Sequence, residues 1–531
     1  MHKIENYSMM ISILNFLSKP FYKNFSLFVS IFILISFNLI TCLDDFKYWI
    51  CLVAQGIMDS YILVLIYTLL PKYFKKAYLW IIMAVIVVFS IIDLFTIVTF
   101  NRRFDLDVAY VILGTNLKET LEFLLEFVTI KIILLLLLVA FLAILSYHLF
   151  YNKLNLTLKT SKLFLLVVLC CIPLNIMVTN PWNGSLFGKI YNLTLVANVP
   201  NLKDYYSHPN LEKVSRSPKN IVVIFGESFS KKHSSLYAYG KNTNPYLSIL
   251  QKDSSLLIFN NVKSPALHTI QSFKAMMSTY KHSYADSCKW YECTTIPEVA
   301  RLASYSTYWY SNQSQKGLYE NIVGEYAKLC DSILFVGDKF AGNLKKDLDG
   351  ELLLPIKSVR KDSLNLFFIH LMGSHPVFEE RYPDHFNRYK EDEYNEYPIN
   401  QRHNLATYDN SVLYNDSVVY QIMSSFENEE SIVFYFSDHS LDIYDSADDY
   451  CSHANPNDSV SKEAGSNIPF MVYFSESYKS NFPKHIDSLK ENINKTYCTD
   501  NIIYTIMDIM GVKFENNEDV EKFSLLNKNL D

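Results

Sequence analysis

The stretch that decides the fold is VVIFGESFSKKHSSLYAYGKNTNP, residues 222–245. Four apolar residues, typical of a buried strand, run into Gly226, Glu227 and Ser228, and a polar, basic and aromatic stretch follows. In a parallel α/β sheet, ligands bind at the carboxyl ends of the strands. Glu227 could therefore be a metal ligand or a base, but it could also be a helix N-cap or an ordinary loop residue. The choice depends on residues elsewhere in the chain.

From residue 219 onward, short apolar runs alternate with stretches of helical periodicity. Seven runs are typical of strands: NIVVIFGES, LLIFNNV, STYWYSN, DSILFVGD, LNLFFIHLMGSH, SIVFYFSDHS and IPFMVYFS. Helix-like segments such as TIQSFKAMMSTY lie between them. Strands that alternate with helices predict a mostly parallel sheet with helices on both faces. We therefore predict an α/β domain over residues 218–531.

The part of the chain before about residue 180 has a different composition. The 531 residues are 50% hydrophobic with a net charge of −6, so we expect neither nucleic-acid binding nor an acidic tail. Crossing a membrane takes about 20 apolar residues, and five runs are long enough: 26–43, 50–71, 77–100, 127–149 and 161–178. We predict a transmembrane domain of five helices over 1–178 and a linker over 179–217.

Asp59 and Asp93 fall inside these spans, where a charge is costly and often functional unless it lies near a membrane face.

The lysines of the loops predict how the chain is oriented. Three groups alternate with the spans: Lys3, Lys19 and Lys23; Lys72, Lys75 and Lys76; Lys153, Lys159 and Lys162. The positive-inside rule places all three groups in the cytoplasm, although Arg102, Arg103 and Lys118 would then lie outside. Five spans that start inside end outside, so the C-terminal domain is expected to be extracytoplasmic. The periodic stretch at 105–124 predicts a helix on the outer membrane surface.

The cysteines agree with an outer domain in an oxidising compartment. Cys288 and Cys293, in ADSCKWYECTT, could close a short loop there. We predict a disulfide between these two residues. No CxxC pair indicates a zinc site built from thiolates.

Residues with metal-binding chemistry follow several of the predicted strands. Asp438 and His439 follow IVFYFS, His375 follows LFFIHLMGS, and His453 lies in YCSHANP. Thr269 stands at the expected start of a helix, where a bound phosphate would be favoured. Carboxylate and imidazole groups suit zinc, whereas magnesium prefers oxygen ligands. Each residue alone has an ordinary explanation, such as a loop histidine or a helix N-cap, but their joint occurrence indicates a metal site.

The chain also resembles a known family. The segments that carry the resemblance are GESFSKKHSSLYAYGKNTNP, SPALHTIQSF, YWYSNQSQKG, HLMGSHPVFEERYP, YDNSVLYNDS and FSDHSLDIYDS. Together they are similar to bacterial phosphoethanolamine transferases, inner-membrane members of the alkaline phosphatase superfamily. The resemblance covers nearly the whole chain and is strongest to enzymes that modify the lipopolysaccharide core. It implies an alkaline-phosphatase-like periplasmic catalytic domain, a Zn²⁺ ion with a possible second divalent metal, phosphatidylethanolamine as donor, and a core sugar phosphate or lipid A as acceptor.

The resemblance also assigns the metal site. It implies that Glu227, Thr269, Asp438 and His439 bind zinc, with Thr269 also the nucleophile that carries the phosphoethanolamine group. The sequence departs from the family at Ser440, where Gly is common, and at GES, where GET is commoner and the change is expected to be neutral. The multiple disulfides of the lipid A modifiers are mostly missing.

The other implied roles concern the substrates. His375 and His453 match histidines near the substrate phosphate or an auxiliary metal, where either could protonate the departing oxygen and later deprotonate the acceptor. The remaining matches imply contacts with the bound group or with the ethanolamine end of the donor: Asn312, Lys316, Thr115 and Glu119. The expected reaction is attack of Thr269 on phosphatidylethanolamine, release of diacylglycerol, and transfer to the acceptor.

Three other classes of protein are alternatives to a phosphoethanolamine transferase. A phosphoglycerol transferase of the lipoteichoic acid synthase kind would share the architecture and the threonine nucleophile. A sulfatase would need Cys or Ser in a CxPxR or SxPxR context, which KSPALHTIQS does not contain. A membrane scaffold with a degenerate domain is disfavoured because all four ligand types are in place.

Overall fold

A computed structural model describes the greater part of the chain: residues 2–36, 46–100, 103–115, 120–121, 128–151, 161–176, 185–284, 289–315, 322–337, 348–359, 361–447, 450–515 and 518–528. The chain divides into two compact units. One comprises residues 1–113 and 124–198, and the other comprises 114–123 and 199–531.

The first unit is built from helices over its described residues. They are α1 (His2–Leu17), α2 (Lys19–Ile35), α3 (Phe46–Leu69), α4 (Lys72–Phe100), α5 (Leu106–Gly114), α6 (Ile130–Tyr151), α7 (Ser161–Ile176) and α8 (Leu186–Ala197). Each of the five predicted spans overlaps a different helix of this set. Two helical segments are long and apolar enough to cross a membrane, Trp49–Leu69 and Lys72–Thr99, and shorter apolar helices follow. Five spans stay a prediction.

Two buried aspartates connect α8 to α3 and α4. The Oδ2 atom of Asp59 accepts a hydrogen bond from the backbone N–H of Leu186, the first residue of α8, at 2.7 Å. Asp93 forms a buried ion pair with Lys189 of α8 and accepts a hydrogen bond from the backbone N–H of Phe104 at 3.1 Å. A buried charge is tolerated where it is paired and hydrogen-bonded. The two acidic residues that fall within predicted spans therefore hold α8 in place.

The second unit contains the strands and the remaining helices. The strands are β1 (Leu211–Lys213), β2 (Asn220–Gly226), β3 (Leu256–Phe259), β4 (Val262–Lys263), β5 (Ser306–Ser311), β6 (Ser332–Phe335), β7 (Asn365–His370), β8 (Ser431–Ser437), β9 (Leu441–Ile443), β10 (Cys451–His453), β11 (Phe470–Phe474), β12 (Tyr497–Cys498) and β13 (Val512–Phe514). The helices are α9 (Leu247–Lys252), α10 (Thr269–Met276), α11 (Ile296–Leu302), α12 (Ile322–Ala327), α13 (Leu353–Ser358), α14 (Ile399–Ser424), α15 (Ser459–Ser466), α16 (Glu476–Asn481), α17 (Pro483–Glu491), α18 (Ile502–Ile509) and α19 (Asp519–Phe523).

Seven strands form the central sheet, in the order β3–β11–β8–β2–β7–β5–β6. β11 runs opposite to the other six strands, which share one direction, so the predicted mostly parallel sheet is confirmed. These strands coincide with the seven apolar runs of the sequence. Every residue of β2, β7 and β8 is buried, as expected for parallel strands covered on both faces. The carboxyl ends of β8, β2, β7 and β5 therefore lie side by side along one edge.

Some predicted features lie at the borders of the described residues. Within the predicted surface helix at 105–124, α5 is described, while 116–119 and 122–124 are outside the described residues. The stretch predicted as a linker, 179–217, contains α8 and β1, and β1 pairs antiparallel with β13. Cys288 also lies outside the described residues. Its disulfide with Cys293 stays a prediction.

Candidate metal centre and active site

Three side chains with metal-binding chemistry meet at the carboxyl ends of β2 and β8. Glu227 directly follows β2, and Asp438 and His439 directly follow β8, the parallel neighbour of β2. One possible ligand atom from each lies within 4.8 Å of the others, and all three residues are buried. The parallel pairing of the two strands brings them together across the long stretch of sequence that separates them.

Thr269 adds a hydroxyl group to this cluster. It is the first residue of α10, and its Oγ1 donates a hydrogen bond to Oε2 of Glu227 at 3.2 Å. The same oxygen lies 3.3 Å from Nε2 of His439. The first N–H groups of a helix have no partner within the helix and carry a partial positive charge. A phosphate group beside Thr269 would therefore meet a favourable environment.

Neighbouring contacts orient the ligand atoms of His439 and Asp438. Nδ1 of His439 lies 3.0 Å from the carbonyl oxygen of Ser440 and donates to it, which directs Nε2 toward the carboxylates. Nε2 lies 3.2 Å from Oε1 of Glu227 and 3.6 Å from Oδ2 of Asp438. That Oδ2 atom is buried and has no hydrogen-bond partner of ordinary geometry among the described residues. Carboxylate and imidazole groups are ligands that zinc prefers, and the unsatisfied buried oxygen is an atom that a cation could contact. The cluster therefore fits a zinc ion.

The three residues also shift one another's pKa values. Burial, followed by the adjacent Glu227 carboxylate, raises the pKa of Asp438 to about 8. Burial opposes the charged form of His439, but the Asp438 and Glu227 carboxylates outweigh it and raise the pKa of His439 to about 9. Burial would raise the pKa of Glu227 as well, yet the hydrogen bond and charge of His439 hold it well below its usual range. Asp438 and His439 therefore hold protons near neutral pH, and a divalent cation that binds here would displace them.

Ser228 and Gly373 fix the backbone of Glu227. Ser228 has a φ of 57°, and its hydroxyl donates to Oε1 of Glu227 at 2.7 Å. Gly373 has a φ of 54°, and a Cβ atom there would lie 2.7 Å from the carbonyl oxygen and 2.8 Å from the nitrogen of Glu227. The close approach at Gly373 therefore requires glycine.

We expect Gly373→Ala to destabilise the α/β unit by about 1–3 kcal/mol, the usual cost of a strained backbone. The new methyl group would also push the Glu227 backbone aside, since the atoms that it meets belong to main chain. Thermal unfolding of the full chain in detergent measures the effect. Gly240→Ala is the matched control, because a Cβ atom there meets nothing within 4 Å. Equal unfolding temperatures for the two variants would contradict the expectation.

A group of histidines lies next to the cluster. The ring of His453, in β10, is 5.0 Å from that of His439 and stacks on that of His268 at 4.9 Å. Burial, together with the nearby charges of His268, His439 and His375, lowers the pKa of His453 well below its usual range. His375, in the loop after β7, acts electrostatically on Glu227. Sequence reasoning did not single out His268; its signal was its place next to Thr269 in SPALHT.

The end of β5 also reaches the cluster, through a residue that was not predicted. Asn312 is buried, and its Nδ2 donates to Oδ1 of Asp349 at 2.9 Å. The next residue, Gln313, donates from Nε2 to Oε2 of Glu227 at 3.1 Å. The two neighbouring side chains thus have different partners: Gln313 contacts the candidate metal ligand, and Asn312 contacts Asp349.

The other predicted substrate-binding residues are placed only in part. Thr115 directly follows α5, and Glu119 and Lys316 lie outside the described residues. The roles predicted for these three residues and for Asn312 stay predictions.

The fold and the site define an α/β enzyme domain with a metal-type cluster at the strand ends. The model of the sulfatase family matches residues 219–512, more than half of the chain, so the chain belongs to the sulfatase family. The phosphoethanolamine transferase EptC of Escherichia coli K12 is 24% identical over 500 residues, which cover 87% of this chain and 85% of EptC. The resemblance stated from the sequence is confirmed.

Two solved structures have the same fold. The C-terminal periplasmic domain of Escherichia coli EptC, in complex with Zn, matches with a TM-score of 0.55 at 23% identity, covering 61% of this chain and 90% of that domain. The integral membrane protein lipooligosaccharide phosphoethanolamine transferase A (EptA) from Neisseria meningitidis matches with a TM-score of 0.64 at 17% identity, covering 96% of this chain and 98% of EptA.

Proposed function

We propose that this protein is a zinc-dependent phosphoethanolamine transferase that moves phosphoethanolamine from phosphatidylethanolamine to a lipopolysaccharide acceptor. The observation that carries the proposal is the hydroxyl of Thr269, which lies 3.2 Å from Oε2 of Glu227 and 3.3 Å from Nε2 of His439. A nucleophile within a cluster of metal-binding groups is the arrangement that covalent group transfer needs. The transferase name of EptC, matched over 87% of this chain, supports the same reaction class.

Glu227, Asp438 and His439 would hold the zinc ion, with Thr269 as a further ligand. Bound there, zinc would lower the pKa of the Thr269 hydroxyl and offset negative charge on the substrate phosphate. Carboxylate and imidazole donors match the ligand preferences of zinc. The zinc complex of the EptC periplasmic domain, which has the same fold, supports this choice of metal.

The reaction would proceed in two displacements at phosphorus. The Oγ1 atom of Thr269 attacks the phosphorus of the donor, the bond from phosphorus to the glycerol oxygen breaks, and diacylglycerol leaves with the proton that Thr269 gives up. An oxygen of the acceptor then attacks the phosphoethanolamine ester on Thr269, the bond from phosphorus to Oγ1 breaks, and the proton of the acceptor returns to Oγ1. His375 or His453 would carry the proton in each step, protonating the departing oxygen first and deprotonating the acceptor later. The N–H groups at the start of α10 would stabilise charge on the phosphate oxygens.

The protein would act in the bacterial inner membrane, with five spans and a periplasmic catalytic domain. The alternating lysine groups of the sequence support this orientation. Large apolar side chains on α6 also support a lipid environment, since Leu137 is 62% exposed, Phe141 59% and Ile144 68%. Their spacing repeats every three to four residues, as on one face of a helix. Such a face is costly in water and favourable in lipid.

The donor is tested with the full chain reconstituted in liposomes together with lipopolysaccharide. We expect label to move to lipopolysaccharide from phosphatidylethanolamine labelled in its head group, and not from labelled phosphatidylglycerol. Chelation of the metal should abolish transfer and added zinc should restore it, because the Thr269 hydroxyl depends on the bound metal for a lowered pKa. Transfer from phosphatidylglycerol would instead indicate a phosphoglycerol transferase, and no transfer from either lipid would favour a scaffold. Mass spectrometry of the labelled product distinguishes a core sugar phosphate from lipid A.

A further inference from the structure

A buried aspartate joins two of the strand ends that border the metal cluster. Asp349 begins a 3-10 helix that ends at Leu352, and 3% of its surface is exposed. Its Oδ1 atom accepts hydrogen bonds from Nδ2 of Asn312 at 2.9 Å and from the backbone N–H of Met372 at 2.7 Å. Its Oδ2 atom accepts one from the backbone N–H of Gly373 at 2.9 Å. A single carboxylate therefore connects the end of β5 to the end of β7.

Both of these strand ends contact Glu227. After β5, Gln313 donates a hydrogen bond to Oε2 of Glu227 at 3.1 Å. After β7, Gly373 lies directly against the Glu227 backbone, and the N–H of Ser374 donates to the carbonyl oxygen of Glu227 at 3.0 Å. The segment after β5 thus holds the side chain of Glu227, and the segment after β7 holds its main chain. Asp349 accepts hydrogen bonds from both segments.

We propose that Asp349 is a positioning residue for the metal ligand Glu227, acting through Gln313 on one side and the 372–374 loop on the other. The proposal rests on the metal site of the proposed function. Outer partners of metal ligands set the orientation of those ligands and hence the affinity for the metal. His375 lies in the same loop, so its position depends on the same carboxylate.

The chemistry of the contact requires a carboxylate rather than an amide. An ionised carboxylate only accepts hydrogen bonds and offers two oxygens, so it serves all three donors at once. In Asp349→Asn, one oxygen becomes an NH₂ group that faces an N–H donor, and the contact on that side is lost. The variant keeps the size of the side chain and removes the hydrogen bonds of one of its two oxygens.

Asp416 provides a matched control for a role in folding alone. It is a buried aspartate in α14 that accepts hydrogen bonds from the backbone N–H groups of Tyr246 at 2.8 Å and Leu247 at 3.2 Å. These partners lie at the start of α9 rather than at the ends of β5 and β7. Asp416→Asn therefore removes the same kind of contact elsewhere in the unit.

The test measures zinc affinity by chelator competition and the visible spectrum of the Co²⁺-substituted protein, using the full chain in detergent. We expect Asp349→Asn to weaken zinc binding by about 10–100-fold, the size typical of losing an outer partner. It should also shift the Co²⁺ absorption bands, because the geometry at Glu227 changes. Asp416→Asn should lower the unfolding temperature and leave both metal readouts as in the wild type.

Asn312→Ala is a second variant. It keeps Asp349 and removes only the hydrogen bond that Asp349 accepts from the end of β5. It should weaken zinc binding less than Asp349→Asn and shift the Co²⁺ bands in the same direction. If both variants bind zinc with the wild-type affinity and spectrum while the wild type transfers phosphoethanolamine, the positioning role is wrong and the proposed function stands. If the wild type binds no zinc, both proposals fail.

Discussion

Thr269→Ala is expected to abolish phosphoethanolamine transfer while leaving zinc bound. The substitution removes Oγ1, which lies 3.2 Å from Glu227 and would form the bond to phosphorus. Loss of a nucleophile in a covalent mechanism lowers turnover by at least about 10³-fold and up to about 10⁶-fold. The three proposed ligands Glu227, Asp438 and His439 remain, and zinc sites often keep a fourth position open. The measurements are transfer of labelled phosphoethanolamine and zinc content of the purified full chain.

Two controls separate the nucleophile from its surroundings. Ser272→Ala removes a buried hydroxyl from the first turn of the same helix, where it donates to the carbonyl oxygen of Ala266, and should keep most of the activity. Thr269→Ser keeps a hydroxyl and should retain part of it. Without acceptor, the wild type should accumulate a phosphoethanolamine adduct on the peptide that contains Thr269. An adduct on another residue, or transfer by Thr269→Ala, would show that the covalent route is wrong.

The sheet and the meeting of its strand ends could be predicted from the sequence. Central parallel strands are covered on both faces, so they are continuous apolar runs that stand out from the polar segments around them. A parallel sheet also places the carboxyl ends of neighbouring strands at one edge. Glu227 after β2, and Asp438 with His439 after β8, were therefore expected to meet, and the structure brings them within 4.8 Å.

The contacts around these residues could not be predicted in the same way. Asn312 and Gln313 are adjacent polar residues, and only the exact end of β5 decides which of them contacts Glu227. Asp349 lies in no periodic stretch, and its three donors come from two distant strand ends. His268 stacks on His453 because β10 packs beside the start of α10, a proximity that no local pattern contains.

The contacts within the helical unit could not be predicted from the sequence either. Hydropathy identifies apolar stretches, and it also marks Asp59 and Asp93 as charges within them. It does not indicate that Leu186 and Lys189, far along the chain, supply their partners. Partners of buried charges are tertiary contacts, which a pattern of single residues cannot specify.

Asp438→Ala is expected to lose both zinc and activity, in contrast to Thr269→Ala. Among the carboxylate oxygens of the cluster, Oδ2 of Asp438 is the one without a hydrogen-bond partner of ordinary geometry in the described part of the chain, so it is the atom best explained by a bound cation. Removing a direct ligand should weaken zinc binding by more than about 100-fold, the upper end of the effect of losing an outer partner.

The loss should not come from unfolding, and a neighbouring residue tests this. Asp442→Ala is the matched control, since Asp442 is a buried aspartate whose Oδ1 accepts from the backbone N–H of Asp445 at 2.9 Å. It should lower the unfolding temperature and keep the affinity for zinc. If Asp438→Ala instead binds zinc as tightly as the wild type, the metal lies elsewhere, and the histidines around His453 become the site to test. The pair of variants thus distinguishes a carboxylate that holds the metal from a hydroxyl that carries the transferred group.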